Sequence, residues 1–216
     1  MKKSILQYKY GKVSVPETGS ALLSQNSKTQ TVAWDIPAGD PEICAGIDLS
    51  PGSICLSCYA CKGRQAMPVP RNAQRARFEW WNTTAPAWRE KYMAAAINRE
   101  VRLGRSFFRV FGSGDFDSIG SVKSWARVAK LAPAAKLWIP TRTWKLFEPA
   151  LSCLNRLENV TVRASGLRLD HVPDTNLPVA IVTATGGNCP AQHGGQCRDC
   201  RRCWTSPDWS PVYAKH

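Results

Sequence analysis

The chain is poor in histidine, and its three (His171, His193 and His216) all lie late in the sequence. That leaves little material for histidine-based acid–base or nucleophilic catalysis, and no Ser/His/Asp signature is present. A G-x-x-x-x-G-K-[ST] segment is also missing, which removes the phosphate-cradling loop of the P-loop enzymes. No apolar run approaches the ~20 residues of a membrane span; the longest covers residues 178–184. Lys2 and Lys3 are followed by mixed polar sequence in place of the apolar stretch an export signal needs. The expected setting is therefore a reducing cytoplasm without membrane contact, where clustered cysteines imply metal in preference to disulfides.

Cysteine, by contrast, is abundant and clustered. Of nine cysteines, eight form two quartets: Cys44, Cys55, Cys58 and Cys61, then Cys189, Cys197, Cys200 and Cys203. Each contains C-x2-C-x2-C with a fourth cysteine upstream, a spacing that aims several sulfurs at one point and suits a metal ion or an iron–sulfur cluster. Four thiolates on one ion would make a closed zinc site. Three thiolates on a four-iron cluster would leave one iron open to a ligand, so the role of Cys61 decides between a structural and a catalytic centre. The second quartet fits a structural knuckle or an auxiliary cluster. His193 reads as a loop residue beside it, and Trp204 as a shield against water. Cys153, between Leu151 and Leu154, reads as a buried core thiol.

The 216 residues carry a formal charge of +13, and 44% of them are apolar. Two four-sulfur metal sites at about −2 each would leave about +9, enough to favour an anionic partner. Residues 62–105 hold ten basic side chains (Lys62, Arg64, Arg71, Arg75, Arg77, Arg89, Lys91, Arg99, Arg102 and Arg105) against three acidic ones, and Arg198, Arg201 and Arg202 fall inside the second quartet. Nucleic acid or a nucleotide is one candidate partner; a merely solubilising surface is the other. Nine tryptophans, with Trp80 and Trp81 in the basic stretch, are expected in the core or around the metal in preference to base stacking.

One domain is expected, in three parts: a loop-rich segment with the first cysteines (1–65), helices and an α/β core (66–188), and a cysteine-rich tail (189–216). Turn signals at Gly11, Pro16, Gly19 and Pro37-Ala38-Gly39 mark the first part. Residues 71–83 and 86–103 read as helices. Strands then follow at Phe107–Phe111, Lys136–Ile139, Val160–Val162 and Val179–Val182. The helices between them are one capped by Ser118, with Ile119, Val122, Trp125 and Ala129 inward, and one over Pro149–Leu157. The fold class is α/β, a partial (β/α) barrel or curved parallel sheet. The turn Gly112-Ser113-Gly114-Asp115 falls at the carboxyl end of a strand, where α/β folds bind ligands. Thr141-Arg142-Thr143, Ser165 and Thr183 would share that rim.

Several of these elements resemble the phage family named after gene product 88, itself linked to radical S-adenosylmethionine-like phage proteins. They are Asn26-Ser27-Lys28 through Ile36-Pro37-Ala38-Gly39, Cys55-Leu56-Ser57-Cys58-Tyr59-Ala60, Arg109 through Phe116 with its S-G-D-F, and the ending from Cys189 to Trp204. The radical-enzyme comparison implies a four-iron cluster on Cys44, Cys55 and Cys58 that binds S-adenosylmethionine, with Gly112 to Asp115 holding the methionine end and Asp115 as its positioning carboxylate. It also implies an electron donor and one or two clusters in all. The C-x3-C-x2-C spacing usual for such enzymes is replaced here, so a closed zinc or iron–sulfur site in a non-catalytic phage regulator, binding nucleic acid or a host protein, stands as the alternative expectation.

Overall fold

The structure, a computed structural model, describes residues 8–9, 12–16, 18–26 and 29–215. Lys2, Lys3, Gly11, Ser27, Lys28 and His216 lie outside the described residues. A short antiparallel pair, β1 (Tyr8–Lys9) and β2 (Lys12–Val13), precedes β3 (Ser24–Asn26) and β4 (Thr31–Trp34). Three short 3-10 turns within residues 55–66 follow, the first two holding Cys55 and Cys61, and then come α1 (Pro68–Thr83) and α2 (Pro86–Arg102), each opened by a proline whose missing N–H costs nothing there. The chain then alternates: β5 (Phe107–Val110), α3 (Ile119–Leu131), β6 (Lys136–Thr141), α4 (Trp144–Asn155), β7 (Val160–Ser165) and β8 (Val179–Thr183). The tail adds two single-turn helices, α5 (Cys197–Cys200) and α6 (Arg202–Thr205), and a last strand, β9 (Val212–Ala214).

Strands β3 to β9 form one open seven-stranded sheet in chain order, antiparallel only between β3 and β4. Parallel crossovers are right-handed, so an order without reversal puts the long crossover helices α1 to α4 on one face of the sheet, while the β8–β9 connection with α5 and α6 crosses the other. Alternate residues face that layer: Val32, Trp34, Phe108, Val110, Leu137, Ile139, Val160, Val162 and Ala164 share a core with Met93, Ile97, Val122, Trp125, Leu151 and Leu154. Trp34, Trp80, Trp81 and Trp125 form an aromatic cluster in it, with Trp81 and Trp125 stacked at 5.3 Å. Core placement is thus the outcome for Trp80 and Trp81, while Trp88 of the same stretch is exposed.

The other face carries Phe107, Arg109, Trp138, Thr161 and Arg163, and the tail covers part of it. Arg163 is fully buried and donates to four tail carbonyls: Ser206 and Trp209 at 2.6 Å, Arg202 at 3.3 Å and Cys203 at 3.4 Å. Thr161 donates to the Trp204 carbonyl at 3.0 Å, and the Trp204 indole N–H donates to Phe108 at 2.9 Å. Strand β9 completes the sheet edge, and protein hydrogen bonds hold the tail there.

Smaller expectations change too. Ser118 caps α3 by accepting from the Ser121 N–H at 3.2 Å, as expected. Ile119 is 49% exposed, however, because a side chain at the first helical position leans toward a turn that does not exist. Helix α4 begins five residues before Pro149 and is kinked at Phe147. Cys153 is exposed, since Leu151 and Leu154 at i and i+3 take the inward face and leave position i+2 opposite them. Among the described residues no helix is long and apolar enough to cross a membrane.

Replacing Arg163 by leucine should strip four carbonyls of their donor and destabilise the protein by about 3 kcal/mol or more. Urea unfolding would measure that loss, and limited proteolysis should show cleavage within residues 196–209 before the rest of the chain is cut.

Candidate functional site

The face of the sheet left free by the helices becomes the floor of a cavity of about 500 Å³. Arg109, Trp138, Pro140, Ala180, Val182 and Tyr213 line it from successive strands, as the two-residue period of the pleat requires. Its rim is the carboxyl edge of the sheet, where Gly112, Ser113, Gly114, Asp115, Thr141, Arg142 and Ser165 gather. Thr143 and Thr183, expected on the same rim, lie outside the cavity lining. Thr143 is buried against Thr141, and the Thr183 hydroxyl bonds the Gly186 carbonyl.

The cysteine quartets approach this cavity from opposite ends of the chain. Cys44, Cys55 and Cys58 line it from the first, and Cys189, Cys197 and Cys203 from the second. Cys55 begins one 3-10 turn and Cys58 sits between that turn and the next, its N–H bonded to the Cys55 carbonyl at 3.1 Å; residues three apart eclipse each other in such a turn. At Cys58 the backbone turns extended (ψ 123°), so Cys61 leaves that line; it is exposed, its sulfur packed against the Ala38 carbonyl at 3.5 Å. In the tail, Arg201 in the left-handed conformation (φ 52°) separates α5 from α6. Cys200 lies outside the cavity lining while Cys203, just past that turn, lines it. Each quartet thus has three cysteines in the wall and one outside it.

Burial, then the Asp115 carboxylate and the Cys58 and Cys55 thiols, push Cys44 up to about 12. Burial likewise lifts Cys203 to about 11 against the opposing pull of Tyr213 and Arg163, and raises Cys197, with Cys189 adding to the effect. Cys61 is raised by burial and by Cys58. Within each quartet the sulfurs feel one another's charge. Among the described residues, however, no three His, Cys, Asp or Glu side chains are grouped to hold a single ion. His193 is exposed and bonds the Gly187 carbonyl at 2.8 Å, as a loop residue would.

The S-G-D-F loop is shaped chiefly by its neighbours in the chain. A side chain at Gly112 would collide with the Asp35 carboxylate, and one at Gly114 (φ 81°) with Ile36 and Pro37. The glycines therefore admit the segment after β4, in addition to bordering the cavity. Asp115 is buried and accepts from the Thr141 hydroxyl at 2.7 Å, the Arg142 N–H at 2.6 Å and its neighbour Phe116 N–H at 2.8 Å. Burial raises its pKa in spite of these donors, and its first effect is to tie two strand ends together. Ser113 is buried with an unpartnered hydroxyl among the described residues. Tyr59, next to Cys58, donates to the Gly112 carbonyl at 2.6 Å, so the cysteine loop and the S-G-D-F loop are joined directly.

Sequence reasoning missed Arg109, Trp138, Tyr59 and Tyr213. A lone arginine at the centre of Phe-Phe-Arg-Val was the available signal, since a charge inside a short apolar strand needs a reason. The basic stretch is thinner than its count implies: Arg77 and Arg89 are buried, and Arg99 and Arg105 pair with Glu100.

The family described as Gene product 88 matches residues 14–188. That span takes in the first quartet, the S-G-D-F loop and β3 to β8, and stops one residue before Cys189, so the cysteine-rich ending lies outside it. No curated protein and no solved structure matches the chain. With most of its length matched, this chain belongs to the Gene product 88 family.

Proposed function

We propose that this protein is an iron–sulfur enzyme of the radical S-adenosylmethionine type that acts on a nucleotide or on a nucleotide unit of a nucleic acid. The observation that carries this reading is the opening of six thiols, three from each quartet, onto one cavity at the carboxyl edge of a parallel sheet. Parallel strands in chain order with their helices on one side support reading the sheet as a partial (β/α) barrel, whose active edge is this one.

The donor set fits the group. All six donors are sulfur, and bare thiols raised by burial and by one another are groups whose ionised form an iron cation would stabilise. A zinc ion needs its four sulfurs at ~2.3 Å, whereas a cluster spreads its ligands over several irons. Cys44, Cys55 and Cys58 would hold it, with Cys61 outside the wall, and Cys189, Cys197 and Cys203 would hold an auxiliary one. A four-iron cluster with three thiolates has one open iron and supplies single electrons, drawn from an external donor, to a sulfonium cofactor bound there. Ser113, with its free hydroxyl, and Asp115 would take the cofactor's amino-acid end, with Gly112 and Gly114 giving the loop its shape. Trp138 and Phe111 keep the wall apolar and limit water.

A second reading rests on Cys61, which feels Cys58 closely enough to complete a four-thiolate site. With Lys62, Arg64, Arg71 and Arg75 exposed nearby, that site would shape a nucleic-acid-binding surface in a non-catalytic phage regulator.

Protein reconstituted with iron and sulfide without oxygen should be brown and, once reduced, should cleave S-adenosylmethionine. Cys55→Ser should lose the iron of the first site and all cleavage, whereas Cys61→Ser should keep both. Zinc bound by four sulfurs at each site, with loss on Cys61→Ser, would establish the second reading in its place. In the metal-free protein, a thiol at about 12 leaves about one thiolate in 10⁴ at pH 8. Iodoacetamide at pH 8, followed by mass spectrometry, should therefore modify exposed Cys153 first and Cys44 and Cys203 last. Because the folded protein holds Cys44 and Cys203 above the ordinary thiol value of 9.0, they favour folding below that pH and cease to do so as pH climbs through 11 to 12. The unfolding midpoint of metal-free protein should fall above pH 9.

A further inference from the structure

Arg109 lies on the floor of the cavity, its backbone paired with Ala33 on one side and Trp138 on the other. Its guanidinium sits 4.6 Å above the Trp138 ring, a stacking that fixes the plane of the group. One terminal nitrogen donates to the Tyr59 hydroxyl at 3.3 Å, and Tyr59 is itself anchored to Gly112. The Nε–H is enclosed and has no partner among the described residues. None of the ion pairs among those residues includes Arg109. Asp35, a carboxylate that attracts it, forms no ion pair with it; one of its oxygens accepts from Ser24 and the other is buried without a hydrogen-bond partner among the described residues. A half-buried guanidinium that is oriented, with its Nε–H buried and no ion pair among the described residues, is completed by an anion.

We infer that Arg109 is the oxyanion-binding residue of the cavity, taking a carboxylate or phosphate group of the substrate between the two cysteine walls. The planar fork of arginine matches both oxyanions through two parallel N–H donors. This rests on the reading of the cavity as a substrate chamber and narrows it. A volume of about 500 Å³, part of it needed by the metal groups, admits one small anionic molecule or a single nucleotide unit. A duplex does not fit.

The test uses the full chain, both reconstituted and metal-free, titrated with inorganic phosphate, acetate, adenosine 5′-monophosphate and adenosine while the thermal midpoint and calorimetric binding are followed. Phosphate or acetate should raise the wild-type midpoint, the larger shift naming the oxyanion class, and if it is phosphate the monophosphate should bind at least tenfold tighter than adenosine. Arg109→Gln should lose at least tenfold in anion affinity. Arg109→Lys keeps a charge beside Trp138 without the fork, folds as the wild type does, and should recover only part of that loss. S-Adenosylmethionine affinity should change by less than twofold in either variant. Anion binding equal in wild type and Arg109→Gln, or absent from the wild type, overturns the assignment; so does a parallel loss of S-adenosylmethionine binding, which would place the cofactor's own carboxylate there. If iron never loads but the metal-free protein binds anions through Arg109, the enzyme reading falls and this one stands.

Discussion

The buried guanidinium of Arg163 is the constraint on which the cavity depends. It reaches from the middle of a central strand into the C-terminal tail and satisfies four carbonyls that would otherwise be enclosed without donors. Burial lowers its pKa, but an arginine stays charged, and the carbonyl dipoles take the place of the lost water. Through this contact Cys203 and Trp204 come against the sheet, and the second set of sulfurs faces the first.

The two cysteine segments reach a common outcome by different backbone devices. In the first, 3-10 turns align Cys55 and Cys58 before the extended step that sends Cys61 away. In the second, the left-handed Arg201 restores Cys203 to the wall after Cys200 has left it. Equal spacing in sequence thus means something other than equal roles in space. The enclosed, apolar surroundings raise the thiols and Asp115 alike, so the cavity disfavours isolated negative charge on its own side chains. The positive charge of Arg109 on the floor is the counterpart of that condition.

Much of the α/β core was legible because periodicity and breakers agree there. Phe107 to Val110, the Ser118 cap and the helix opened by Pro86 all carry local signals that their tertiary setting preserves. β4 and β9 were not legible as sheet members, because Thr31–Trp34 and Val212–Ala214 are too short to show alternation and acquire strand geometry only from their partners. The early start of α4 was hidden by Pro149, which a helix tolerates here with a kink at Phe147. For the site, cysteine spacing singled out eight thiols, and the strand-end glycines do lie at the carboxyl edge of the sheet. It could not say which sulfur of each four stays outside, since that follows from single backbone torsions at Cys58 and Arg201. Nor does sequence spacing reveal that the two groups share one chamber, which is a property of the chain-ordered sheet.

The position of β9 at the far edge of that sheet governs the order in which the chamber can be built. A ribosome releases residues 31–165 before residues 189–214, so the floor and one wall exist while the opposite wall is still being made. During that interval Cys44, Cys55 and Cys58 face no second wall. Once Arg163 captures the last carbonyls, anything larger than the finished opening enters only if the tail lifts away.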